Sequence, residues 1–161
     1  MIKINKGIEP VELTKYKQQP NASYRDMHGA PSGKSNSDGT PIDVYTIVLN
    51  RLIQEQGCIC AYCMCRIPEK GKKATIEHID PQSATSEDYR NMLAVCNGNR
   101  DAHNDKEKSC DAHRKNAPLS VNPLKSDTLS SLKYLSNGEI TASDDAIKKD
   151  LCDTLNLNCS E

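Results

Sequence analysis

The chain of 161 residues contains no Trp and no Phe, and its aromatic side chains are six Tyr. Large rings normally supply much of the buried area of a small core, so a largely aliphatic core is modest and something else must stabilise it. No run approaches the roughly 20 apolar residues of a membrane-spanning helix, and the opening Met1 to Lys6 carries no apolar signal core. Neither sign of charge dominates. A net charge of -1 argues against binding nucleic acid by bulk electrostatics alone, so a nucleic-acid partner would need positive potential from a bound metal or another protein. Residues 58 to 116 are balanced, with ten Lys or Arg against nine Asp or Glu, whereas residues 126 to 161 are acidic, with three against seven. A mean hydropathy of -0.69 and 27% charged residues fit a soluble, loop-rich domain with appendages.

Cysteine, in contrast, is plentiful: there are eight. A disulfide-rich secreted domain is one reading, but without a signal core the expectation is a reducing cytoplasm, where CxxC pairs act as metal ligands. Cys60-Ala-Tyr-Cys63 has the gap that lets two thiolates of a tight turn face one ion, and tetrahedral zinc needs two more soft ligands. Cys96 and Cys110 can supply them, provided that the long insert between them brings its end back to the metal. Cys58 and Cys65 flank the knuckle and exceed the four ligands, which makes them spectators or, alternatively, a replacement for one ligand. Cys152 and Cys159 belong to the tail.

Along the chain, a helical turn is expected from Pro10 through Val11, Leu13 and Tyr16. Gly29 to Gly39 has no apolar residue larger than Ala or Pro and reads as a flexible loop. Thr40 then caps a helix with Pro41 at its first position, and Ile42, Tyr45, Val48, Leu49, Leu52 and Ile53 fall at helical spacing until Gly57. After the knuckle CICAYCMCRI and an exposed turn from Pro68 to Lys73, Ala74 to Ile79 alternates as a strand that Pro81 ends. A polar loop runs to Asp88, and Tyr89 to Cys96 is apolar again. An Asn/Asp/Lys-rich insert, residues 97 to 109, precedes Cys110 and a short helix through Lys115. Leu129 to Leu135, the turn Asn137-Gly138 and Glu139 to Thr141 suggest a hairpin, and Ser143 could cap a helix with Ala146, Ile147, Leu151 and Leu155 on one stripe. The expected organisation is an N-terminal segment and flexible loop (1–40), a zinc-stapled core (41–118) and a C-terminal hairpin and helix (119–161) that could bind a partner.

The chemistry centres on Ile76-Glu77-His78-Ile79-Asp80-Pro81. A histidine with a pKa near 6.5 can take a proton from water at pH 7, and a neighbouring carboxylate can bind a hard divalent cation that stabilises a leaving oxygen. Adjacent residues of a strand point to opposite faces unless it bends, and Pro81 marks an end where bending is possible. A lone histidine is most often unremarkable, yet between two cysteine pairs it points to phosphodiester cleavage. Basic residues around these motifs, Lys70, Lys72, Lys73, Arg100, Lys106, Lys108, Arg114 and Lys115, could contact phosphates, Arg114 and Lys115 above all. Interleaved acids allow solvated loops as well. His103 sits in the insert as a surface residue or substrate contact.

The arrangement CAYC, IEHIDPQS and YRNMLAVC resembles the HNH endonucleases. That resemblance implies an α+β fold with a ββα-metal core, in which a short hairpin packs against a helix around one divalent ion, magnesium or manganese, with zinc structural only. It implies that His78 is the general base, Glu77 a metal ligand and Asn91 the residue that orients the loop holding His78. The family's last metal position follows the second downstream cysteine, where this chain has Asp111, with His113 as the alternative. More of the chain, including the insert before Cys110, NPL, the Tyr-x-x-x-Asn-Gly-x-Ile hairpin and TLNLN, is similar to the PtuB family. These are the HNH subunits of Septu-type antiphage systems, including those attached to retrons, and members often extend beyond the point matching residue 161. They work with PtuA, an ABC/SMC-like ATPase. The implied partners are therefore that ATPase, nucleic acid in the form of DNA or tRNA-like RNA, and a retron reverse transcriptase with its msDNA. The alternative is a zinc-stapled adaptor with an idle site.

Overall fold

A computed structural model describes residues 1–68, 74–81 and 87–159, and these form a mixed α+β fold of short helices and two-stranded antiparallel sheets. Lys70, Lys72, Lys73 and the middle of the polar loop, residues 82–86, lie outside the described residues. Among the described residues, no helix is long and apolar enough to cross a membrane.

The first helix, α1 (Val11–Lys17), buries Leu13 and Tyr16. The expected flexible loop is instead a hairpin, β1 (Pro31–Ser35) paired with β2 (Pro41–Asp43). Its sequence has little to bury because β1 is largely exposed, and polar contacts hold it instead. Asp38 Oδ1 accepts from the Thr40 amide and hydroxyl at 3.0 and 2.6 Å, Asn36 Nδ2 donates to Thr40 Oγ1 at 2.8 Å, and Lys34 pairs with Glu12 of α1 at 2.6 Å. The next helix consequently starts later than its apolar spacing suggests. Pro41 belongs to β2, and α2 (Val44–Glu55) is capped by Asp43, whose Oδ1 accepts from the Thr46 amide at 2.8 Å. Its buried stripe is Val44, Val48, Leu49, Leu52 and Ile53.

The central hairpin joins β3 (Ala74–His78) to β4 (Met92–Cys96), with His78 opposite Met92 and Ala74 opposite Cys96. Met92, Leu93, Ala94 and Val95 are all buried, as in a strand covered on both faces. Gln56, just past α2, fastens that helix to β4: its Oε1 accepts from the Ala94 amide and its Nε2 donates to the Ala94 carbonyl, both at 2.8 Å. The insert then returns to α3 (Cys110–Arg114). Beyond α4 (Ser126–Leu129), β5 (Leu132–Tyr134) and β6 (Ile140–Ala142) form the last hairpin. The cap of α5 (Asp145–Lys149) is Asp144 rather than Ser143, and the helix widens into a π-helical turn over Asp150–Thr154.

One apolar cluster runs from Met1 to Leu155, so the three expected segments share a core. The C-terminal segment packs into it rather than standing apart: the Cys110 amide donates to the Leu155 carbonyl at 2.8 Å, and buried Asp150 accepts from the Val121 amide at 2.9 Å.

Candidate functional site

The sulfurs of Cys60, Cys63, Cys96 and Cys110 all lie within 4.8 Å of one another, and all eight cysteines are free thiols. The separations are 3.8 Å for Cys60 to Cys110, 3.6 Å for Cys63 to Cys96 and 3.7 Å for Cys96 to Cys110. A zinc with Zn–S bonds of about 2.3 Å requires tetrahedral edges of about 3.8 Å. The four thiols can therefore hold one structural metal such as zinc with little rearrangement. The knuckle is a tight turn in which the Met64 amide donates to the Cys60 carbonyl at 3.1 Å and the Cys60 amide to the Cys65 carbonyl at 2.9 Å. Without an ion the thiols share protons, so the contact between Cys60 and Cys110 lowers the first and raises the second. A dication removes that conflict by favouring all four thiolates. Cys65 is exposed and stands outside the group of four.

The insert closes through Gly98. The Ser109 amide donates to the Gly98 carbonyl at 2.9 Å, and a Cβ on Gly98 would stand 2.1 Å from the Ser109 carbonyl oxygen. Only glycine permits this approach at φ +57°, and it delivers Cys110 beside Cys96.

Glu77 and His78 keep the alternation of a strand. Glu77 is buried and His78 half-buried, and the Glu77 carboxylate points beneath the hairpin toward α3. There it pairs with the Arg114 guanidinium of α3, and the Tyr62 hydroxyl donates to it at 3.3 Å. Burial first, and then the Asp111 charge, push the Glu77 carboxyl up to about 8, with the Arg114 guanidinium opposing them. Of the two candidates after Cys110, Asp111 is the one whose charge acts on Glu77. His113 faces away, its Nδ1 lying 3.0 Å from the Thr154 carbonyl, because two residues along a helix is a turn of about 200°.

The expected phosphate contact does not fit Arg114. Its side chain is fully buried and forms an ion pair with Glu77; Nη1 also donates to Tyr62 Oη at 3.0 Å and the His78 carbonyl at 2.9 Å, Nη2 to the Ile79 carbonyl at 2.8 Å, and Nε to the Ala117 carbonyl at 2.8 Å. It fastens the end of β3 to α3. Lys115 is exposed and pairs with Asp105 at 3.2 Å, and half-exposed Arg100 pairs with Asp111. His103 is exposed.

Asn91 grips the chain just after His78. Its Oδ1 accepts from the Asp80 amide at 2.9 Å, its Nδ2 donates to the Asp80 carbonyl at 3.0 Å, and its own carbonyl accepts from the Ile79 amide at 2.9 Å. The side of the site formed by the first 45 residues escapes sequence reasoning. The Tyr24 ring meets the His78 ring edge-on, with centroids 4.5 Å apart, and Tyr45 lies 6.2 Å from Tyr24 and stacks on His28 at 3.7 Å. Nothing in the local sequence marks Tyr24, whereas Tyr62, between two ligand cysteines, stands where a site residue would be sought. Comparison with family models gives no match, and comparison with curated proteins gives none.

Proposed function

We propose that the chain is a metal-dependent endonuclease of the HNH type that hydrolyses nucleic-acid phosphodiester bonds. The observation that carries this reading is that α3, which bears Asp111, is fastened through Arg114 to Glu77 and to the His78 carbonyl at the hairpin end that presents His78, whose following loop Asn91 pins. On this reading β3, β4 and α3 are the ββα-metal core, and the cysteine cluster is its structural zinc staple. His78 takes the proton of the attacking water, and Asn91 keeps the loop after His78 in one position. Glu77 and Asp111 would hold magnesium or manganese, which supplies charge stabilisation at the scissile phosphate. Oxygen ligands suit such hard cations, as thiolates suit zinc.

The likeness of its motifs to the PtuB family extends the proposal to a cytoplasmic antiphage complex. The partner would be a PtuA-like ABC/SMC-type ATPase, with a retron reverse transcriptase and its msDNA where a retron is attached. An ATPase partner also fits a chain whose net charge of -1 gives little attraction for DNA or tRNA on its own. The test is to purify the chain with the ATPase encoded beside it and assay cleavage of DNA and tRNA with and without magnesium. The expected result is magnesium-dependent cutting that His78→Ala reduces at least about 100-fold while leaving the melting temperature unchanged. Cutting by His78→Ala at the wild-type rate would overturn the assignment.

One observation favours the second reading, an idle zinc-stapled adaptor: each carboxylate already has a guanidinium, Arg114 on Glu77 and Arg100 on Asp111. Titration of zinc-loaded protein with manganese separates the two. An adaptor binds no further ion, whereas a nuclease binds one and loses it in Asp111→Asn.

A further inference from the structure

Three rings from outside the central hairpin form a row that ends on His78. His28 stacks on Tyr45 with planes 25° apart, Tyr45 meets Tyr24 at 60°, and Tyr24 meets His78 at 83°. Tyr24 is anchored at both ends. Its amide donates to the Glu87 carboxylate at 2.7 Å, and its hydroxyl donates to the Ile76 carbonyl at 3.3 Å, two residues before His78 on the same strand. Tyr45, on α2, receives the Ile76 amide on its hydroxyl oxygen at 3.1 Å. Backbone groups of β3 that have no partner strand on that side are thus spent on fixing two rings relative to the strand that carries His78.

A ring placed only to fill space needs no such tether. Here the tether sets the distance from the Tyr24 ring to β3, and the ring in turn forms one wall against the imidazole. A general base works only when its nitrogen is held within hydrogen-bond reach of the water it deprotonates, and small misplacement is costly. Asn91 fixes the backbone after His78, and the Tyr24 ring packs against the imidazole itself.

We propose that Tyr24 is a positioning residue for His78, holding its imidazole in the orientation needed to deprotonate water, with Tyr45 and Ile76 setting the position of Tyr24. This rests on the nuclease reading for its catalytic consequence but not for its structural one. The test uses the full chain with its partner ATPase for kinetics, and the zinc-loaded chain alone for ring dynamics measured by NMR relaxation of the His78 ring carbons. Tyr24→Leu should lower kcat at least about tenfold with KM within about twofold, and should convert a rigid His78 ring to one mobile on the nanosecond scale. Tyr24→Phe keeps the ring but loses the hydroxyl anchor to Ile76, and should fall between wild type and Tyr24→Leu in both readouts. If Tyr24→Leu does not fold, Glu87→Ala, which frees the amide anchor without removing core volume, should mobilise the ring in the same direction. A His78 ring equally rigid in wild type and the folded variant would overturn the proposal, whatever the rates. A ring that becomes mobile in a protein that cuts neither DNA nor tRNA would support the positioning role and count against the nuclease reading alone.

Discussion

Glu77 carries two opposed demands. Its ion pair with Arg114 favours the carboxylate, while burial and the neighbouring Asp111 favour the acid and raise its pKa from 4.5 to about 8. The folded state therefore binds this proton more tightly than the unfolded state does. That stabilisation is complete below pH 4.5 and is lost as pH rises through about 8. In zinc-loaded, magnesium-free protein the melting temperature should fall as pH rises from about 4.5 to about 8, and Glu77→Gln should remove that slope. An unchanged slope in the variant would show that another group governs it. Arg114 gives the complementary prediction. Removing Arg114 leaves the carbonyls of His78, Ile79 and Ala117 without their donor, at about 1 to 3 kcal/mol for each acceptor left unsatisfied, a loss of about 3 kcal/mol or more. Urea unfolding of Arg114→Ala should show a loss of that size. Arg114→Lys should not restore it, because an ammonium cannot span the same fork of acceptors.

At the scale of elements, residues that keep their periodicity were readable and those that depend on distant partners were not. The stripe from Val44 to Ile53 declares α2, the alternation from Ala74 to His78 declares β3, and Asn137-Gly138 declares the last hairpin. Residues 29 to 39 looked structureless because their hairpin is held by Asp38, Asn36 and a salt bridge to α1 rather than by apolar alternation. The cysteine quartet, too, was legible, since its spacing is itself chemical information. The inward turn of Arg114 was not, because a basic residue on a short helix after a ligand cysteine looks the same in sequence whether it faces solvent or a buried carboxylate. The Gly98 contact gives this scale its prediction. With a Cβ 2.1 Å from the Ser109 carbonyl, Gly98→Ala must part the two strands of the insert and draw Cys110 away from Cys96. Zinc content per chain should fall below one, and thermal stability should drop by more than the roughly 1 kcal/mol of an ordinary Gly to Ala conflict.

For the molecule as a whole, the shortage of large rings is met by the thiol quartet. It joins the knuckle after α2, the end of β4 and the start of α3 at one point, and the Leu155 carbonyl reaches the same place through the Cys110 amide. Loss of the ion should therefore be felt along the whole chain. Chelation of zinc, or Cys96→Ser, is expected to lower the melting temperature by roughly 10 °C or more, since each kcal/mol is worth about 2 to 4 °C at this size. Calorimetry with and without a chelator checks this, and an unchanged transition would exclude a structural metal.

The closure at Gly98 and Ser109 also separates the length of the insert from the geometry of the ligands. Between those two residues the insert is also tied down by Arg100 on Asp111 and by Asn156 on the Lys106 and Lys108 carbonyls, which leaves its tip around His103 between tethers, and the entropy of closing a flexible loop grows only slowly with its length. The exposed stretch around His103 is thus a splice point. A peptide tag or a small folded module inserted there should leave zinc binding intact, and it would give a handle on this protein that does not touch His78.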